Sequence, residues 1–210
     1  MKKGRIKMDK KYAMMTNDTI KVVINHGPAE KEEVHLLYRI RALESFSDIK
    51  KGELGGYIEF DYNLSQNGYC WVYDNSMVFD DAIVCDDAKI RDHSMVFGNA
   101  RVCDTAVIAY NSRVFDDARI YGTAHVLQNA MVFGNTYVSD EAAILDNAMV
   151  FGDALVHDNA IIQDGSAVFG RSDIHDHAVI SGNSKVVDKF IGGNTRITTT
   201  PEMCIKIKIS

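Results

Sequence analysis

From Ser76 to Ser184 every sixth residue is Ala, Ser or Thr, and two places after each of them, from Val78 to Val186, stands Val or Ile. Nineteen consecutive hexapeptides hold this register without an insertion or deletion. Apolar positions spaced alternately 2 and 4 apart fit a short strand followed by a turn, and they miss the 3.6-residue period of a helix. Strand alternation sends the small residue and the Val/Ile inward, and sends the residue between them and the residue after the aliphatic outward. Two turn positions close each unit, as in Asp80-Asp81, Gly98-Asn99, Gly134-Asn135 and Asp146-Asn147. The pattern predicts a β-solenoid.

The outward position after the aliphatic sets the size of a coil. It reads Phe79, Phe97, Phe115, Phe133, Phe151 and Phe169, eighteen residues apart, so three hexapeptides make one turn of a triangular prism. The expected fold is all-β: a three-sided parallel β-helix of about six coils over residues 72–188, roughly 29 Å tall at ~4.8 Å per coil, with small β caps at both ends. Residues 1–11 read as a basic mobile tail. Residues 12–71 read as an N-terminal cap with strands Thr19 to Asn25 and Val34 to Leu43, Gly52, Gly55 and Gly56 supplying turns. Residues 189–210 read as a closing cap. There the register slips by one, placing Thr195 and Ile197 where an unbroken series would put residues 196 and 198, and Cys204 to Ile209 alternates as a final strand.

Charge changes this picture little. Residues 76–188 hold sixteen Asp but one Glu, against seven Lys or Arg, a net of −10 within a chain whose total is −6. A charge display would use Glu freely, whereas a tight turn favours Asp, Asn and Gly, so the acids read as turn residues and not as a DNA-mimicking surface. The basic residues Lys2 to Lys11 read as a solvated tail, with nucleic acid not expected as a partner. No segment has the length or apolarity of a membrane span, and the expected location is the cytoplasm. The four cysteines lack metal-ligand spacing, so no metal site or cofactor is expected. Cys85 and Cys103, stacked in one column, read as a reduced apolar pair.

The three faces differ. The first carries Met77, Met95, Met131 and Met149 beside Phe79, Phe97, Phe115, Phe133, Phe151 and Phe169. A contiguous apolar stack of this height exceeds what soluble monomers usually expose, and nothing in a monomer is expected to cover it. These ten residues are therefore the expected interface. Six buried rings would remove ~500–600 Å² per subunit, nominally ~12–18 kcal/mol before association costs. A homodimer is favoured over a trimer because only one face is uniformly apolar, and a host protein is the other candidate partner. The second face brings His157 and His175 into one column with His177 on the adjacent corner. These are weak candidates for acid–base or metal chemistry, without a nucleophile or a phosphate-cradling loop beside them.

At the ends the chain resembles a known group. Lys51-Gly52-Glu53-Leu54-Gly55-Gly56-Tyr57-Ile58, followed by Asn63 to Asp74, resembles the lead-in to the repeats of YdcK-type and prophage-encoded hexapeptide-repeat proteins, and Arg196 to Pro201 resembles their closing motif. The resemblance implies a left-handed β-helix. It carries no catalytic residues onto this chain, since the group is labelled at most as transferases without an established site. The expected function is a non-catalytic, self-associating solenoid that acts as a scaffold or protein-binding module, as a phage or mobile-element accessory protein would. A CoA-dependent acyltransferase of the hexapeptide-repeat type is the alternative.

Overall fold

The computed structural model describes residues 10–24 and 32–199. Within them every named element is a strand. Three sheets of ten, eight and seven strands run the length of the molecule, and strands from successive coils pair in parallel eighteen residues apart, as Val114 pairs with Val96 and Val132. The prism has about eight turns, more than the six expected. Additional levels come from both flanks. Leu54–Ile58 (β3) pairs in parallel with the first repeat strand, and Phe190–Ile191 and Arg196–Thr199 continue two sheets at the far end. The unbroken hexapeptide run misses these levels because the register changes at both flanks: Ile58 pairs with Val78 at a spacing of twenty, and Ile180 with Ile197 at seventeen.

The core is the two inward columns. Every Val or Ile of the repeat from Val78 to Ile180 is fully buried, with Ala at most of the small positions. Inward hydroxyls are satisfied by backbone: Ser112 Oγ lies 2.8 Å from Ala109 O and 3.0 Å from Val126 O. The register slip is present, with Val168 paired to Val186 at a spacing of eighteen but Ile174 to Ile191 and Ile180 to Ile197 at seventeen. One residue is lost at the corner between Val187 and Phe190.

Corners carry the acid. Twelve aspartates adopt left-handed φ between 52° and 64°, with glycine at most of the remaining equivalent corners. Most corner aspartates also cap the next coil: Asp80, Asp104 and Asp116 accept hydrogen bonds from the amides of Gly98, Gly122 and Gly134 at 3.0, 2.8 and 3.1 Å. Aspartate tolerates this conformation and bonds nearby backbone, which accounts for Asp in place of Glu.

The N-terminal segment does more than end the stack. Tyr12–Ile24 (β1) and Glu33–Ala42 (β2) form an antiparallel hairpin with Val23 opposite Val34, and β2 adds to β3, so the hairpin extends the sheet of the phenylalanine face. Gly55 and Gly56 lie within β3 and not in a turn. A Cβ on Gly55 would sit 2.6 Å from Val72 O and 2.7 Å from Ile40 Cγ1, so glycine is required by close approach. Tyr12 and Phe46 pack edge-on against the fully buried Trp71 and seal the core. Lys11, expected in a solvated tail, is 2% exposed. Its ammonium donates to the carbonyls of Gly68 (3.2 Å) and Cys70 (3.0 Å) at the head of the first coil. Lys10 pairs with Asp61 at 2.8 Å. The rest of that tail, the 25–31 connection and the expected Cys204 to Ile209 strand lie outside the described residues.

Candidate functional site

The six phenylalanines form one unbroken ladder. Successive ring centroids are 4.7–5.0 Å apart with interplanar angles of 1–5°. In-register pairing at one-coil spacing imposes this geometry, because identical side chains on a flat parallel sheet must take the same rotamer to avoid one another. Stacking hides the ring faces, leaving Phe97, Phe115, Phe133, Phe151 and Phe169 half-buried with only their edges outward. The surface offered to a partner is therefore narrower than six isolated rings would give.

Part of that surface is covered by the chain itself. Phe79 is fully buried under the hairpin, in a cluster with Leu37 and Tyr57, and Ile20, Val22, Ile24, Met77, Met95 and Phe97 pack around it. The expectation that a monomer leaves the whole face bare is thus wrong at its head. The sequence places the hairpin strands correctly but cannot say which face they fold onto. Among the described residues, Val22, Val23 and Ile24 of β1 form one wall of a groove of about 400 Å³ whose floor is Met95, Phe97 and Phe115, with Arg113 and Asp116 at its side. Beyond it Met131, Phe133, Met149, Phe151 and Phe169 continue the stripe.

On the second face His157 and His175 stack with centroids 5.5 Å apart, as the column spacing predicts. Their ring nitrogens are committed or enclosed. His157 Nδ1 lies 3.0 Å from Asp158 Oδ2 and Nε2 lies 3.0 Å from Asp173 Oδ1. His175 Nδ1 faces Asp176 Oδ2 at 3.0 Å, while its Nε2 is buried without a partner beneath Gly192 and beside the Phe190 ring. The Gly193 amide, followed by the neighbouring imidazoles, holds the Asp176 carboxyl below the usual carboxylate range. His177 is exposed on the corner and joins neither pair.

Two groupings correct the sequence reading. Cys85 and Cys103 are joined by a disulfide, with Cα atoms 4.7 Å apart. The one-coil spacing of parallel neighbours falls inside the range a disulfide spans, so the column relation permits the bond it was expected to disfavour. Cys70 is fully buried, and burial pushes its thiol up, with Lys11 opposing. The second grouping was not anticipated. His35 from β2, Glu59 after β3 and Asp80 at the first repeat corner converge, with His35 Nδ1 3.1 Å from Glu59 Oε2 and 3.3 Å from Asp80 Oδ1. No motif spacing links positions 35, 59 and 80. Only the hairpin's fold onto the first coil brings them together.

The repeat and the three parallel sheets fit a hexapeptide-repeat β-helix protein. Over 56 residues the chain is 38% identical to the protein named uncharacterized acetyltransferase YdcK of Escherichia coli (strain K12), a stretch that is 26% of this chain and 17% of that relative. The match thus covers about a sixth of the relative's length. No family model matches the chain.

Proposed function

We propose that the protein is a rigid solenoid scaffold that associates with a second copy of itself through the phenylalanine ladder. The observation that carries this reading is how the chain treats its own ladder. A hairpin buries Phe79 and part of Phe97, and among the described residues nothing covers the same stripe from Phe115 to Phe169. A two-fold axis across that stripe would set ladder against ladder, burying both by one self-complementary contact. The methionines alongside supply adaptable packing. Engagement of a host protein by the same stripe, as a phage or mobile-element accessory protein would do, is the other occupant that this chemistry allows.

Replacing Phe115 and Phe133 by Glu puts two carboxylates at the centre of the stripe without touching the Val/Ile core. Light scattering is expected to give a dimer for the unaltered protein at micromolar concentration and a folded monomer for the double variant. A monomeric unaltered protein refutes self-association and assigns the stripe to a foreign partner.

Acyl transfer is the second reading, favoured by the name of the Escherichia coli relative. A general base needs an accessible ring nitrogen without a proton. His157 has both nitrogens against carboxylates and His175 has its second one enclosed, which supports the non-catalytic reading. Saturable binding of acetyl-CoA, lost in His157→Ala or His175→Ala, would reverse the preference.

A further inference from the structure

The geometry points to a divalent-cation site at the junction of hairpin and solenoid, in which His35 Nδ1 and the carboxylates of Glu59 and Asp80 hold a zinc ion that staples β2 to the first coil. All three donor atoms lie within 4.8 Å of one another. Tetrahedral zinc with bonds of 2.0–2.1 Å sets its ligand atoms about 3.3 Å apart, and the two distances from Nδ1 are 3.1 and 3.3 Å. A hydrogen bond accounts for these contacts less fully, because a single Nδ1 proton directed well at Glu59 leaves only a weak, shared bond for Asp80 Oδ1 at 3.3 Å.

Charge leads to the same conclusion. With a neutral imidazole the cluster carries two negative charges, and the Glu59 and Asp80 side chains are only 14% and 27% exposed. Among the described residues no Lys or Arg lies within ion-pair distance of either carboxylate, so a divalent ion would bring the cluster to neutrality. The ligands are also held in place. Asp80 N donates to Glu59 Oε2 at 2.9 Å, and Gly98 N donates to Asp80 Oδ2 at 3.0 Å, leaving Oδ1 turned to the imidazole. The His35 ring is nine-tenths buried against Phe79, 5.0 Å between centroids, and its Nε2 has no hydrogen-bond partner, so packing fixes the ring with Nδ1 aimed into the cluster. A mixed nitrogen and oxygen set suits zinc better than calcium or magnesium, which prefer oxygen alone.

The other His–carboxylate groups compare poorly. Those around His157 and His175 rest on more exposed carboxylates, with the Asp158 and Asp176 side chains 47% and 52% accessible. The consequence of a metal at His35 would be mechanical: the ion would hold the hairpin over the head of the ladder.

Calorimetric titration of the chelator-stripped full chain with zinc chloride tests this. One equivalent is expected at micromolar affinity or tighter, with Glu59→Gln and Asp80→Asn each weakening it at least ~10-fold and Asp158→Asn leaving it unchanged. Asp80→Asn keeps the left-handed corner and the Gly98 hydrogen bond, and circular dichroism checks that both variants fold. Zinc should also raise the melting temperature of the unaltered protein and not that of Asp80→Asn. Absence of binding at ~100 μM zinc, binding untouched by both variants, binding lost in Asp158→Asn, or tighter binding of calcium than of zinc would each overturn the assignment.

Discussion

A corner aspartate performs two tasks in this molecule, and they can be separated by substitution. Asp116 has φ of 56° and accepts the Gly134 amide at 3.1 Å. Ala cannot make that bond and tolerates the left-handed region poorly, so Asp116→Ala is expected to cost about 2 kcal/mol, roughly half from each effect. Asn keeps both properties, and Asp116→Asn should stay within about 0.5 kcal/mol of the parent in urea denaturation. Equal losses in the two variants would mean that the carboxylate's charge matters. Most of this was legible in the sequence, because sixteen Asp against one Glu within residues 76–188 betrays a conformational demand. Lys11 was not legible. A lysine at the end of a basic run reads as solvated, and only its contacts with the Gly68 and Cys70 carbonyls give it a buried role.

At the scale of elements, the repeat strands follow from periodicity but their attachments do not. Inward and outward positions are a property of each hexapeptide, so Val114 or Ile144 can be placed without knowing any other residue. The hairpin's strands were also visible, yet its docking on Phe79 depends on the close approach at Gly55 and Gly56, and no local pattern encodes that. The disulfide escapes sequence reading for a related reason: the column stacks Cys85 on Cys103, but in-register neighbours on parallel strands read as a poor match to disulfide geometry. Closing an 18-residue loop is worth up to about 3 kcal/mol in the chain-entropy model. Reduction should therefore lower the urea midpoint while leaving the circular dichroism spectrum unchanged, because the ladder hydrogen bonds on either side of the bridge persist. Intact-mass measurement before and after reduction checks the bond itself, with Cys70 remaining unalkylated until the protein unfolds.

At the scale of the whole molecule two codes are superimposed, and they have different periods. The core repeats every six residues, so any hexapeptide can serve any face. The ladder repeats every eighteen, so a phenylalanine belongs to one face only. Deleting residues 116–121 joins Phe115 to Gly122 and preserves the inward columns, but it rotates everything downstream by one face and splits the ladder into Phe79, Phe97 and Phe115 on one side and Phe133, Phe151 and Phe169 on the next. Deleting residues 116–133 joins Phe115 to Gly134, removes one whole coil and keeps the remaining five rings in a single column. Solenoid stability is approximately a sum over repeats and their nearest-neighbour contacts, so both deletions should fold with β-rich spectra, each somewhat less stable than the parent. The six-residue deletion forfeits one ring stack, a loss of about 0.5–1.5 kcal/mol. Light scattering should separate them: the eighteen-residue deletion remains associated and the six-residue deletion does not. If both associate equally, the ladder is not the interface. If the six-residue deletion fails to fold, the faces are not interchangeable, and the stacked aromatics contribute to the fold more than the inward code alone accounts for.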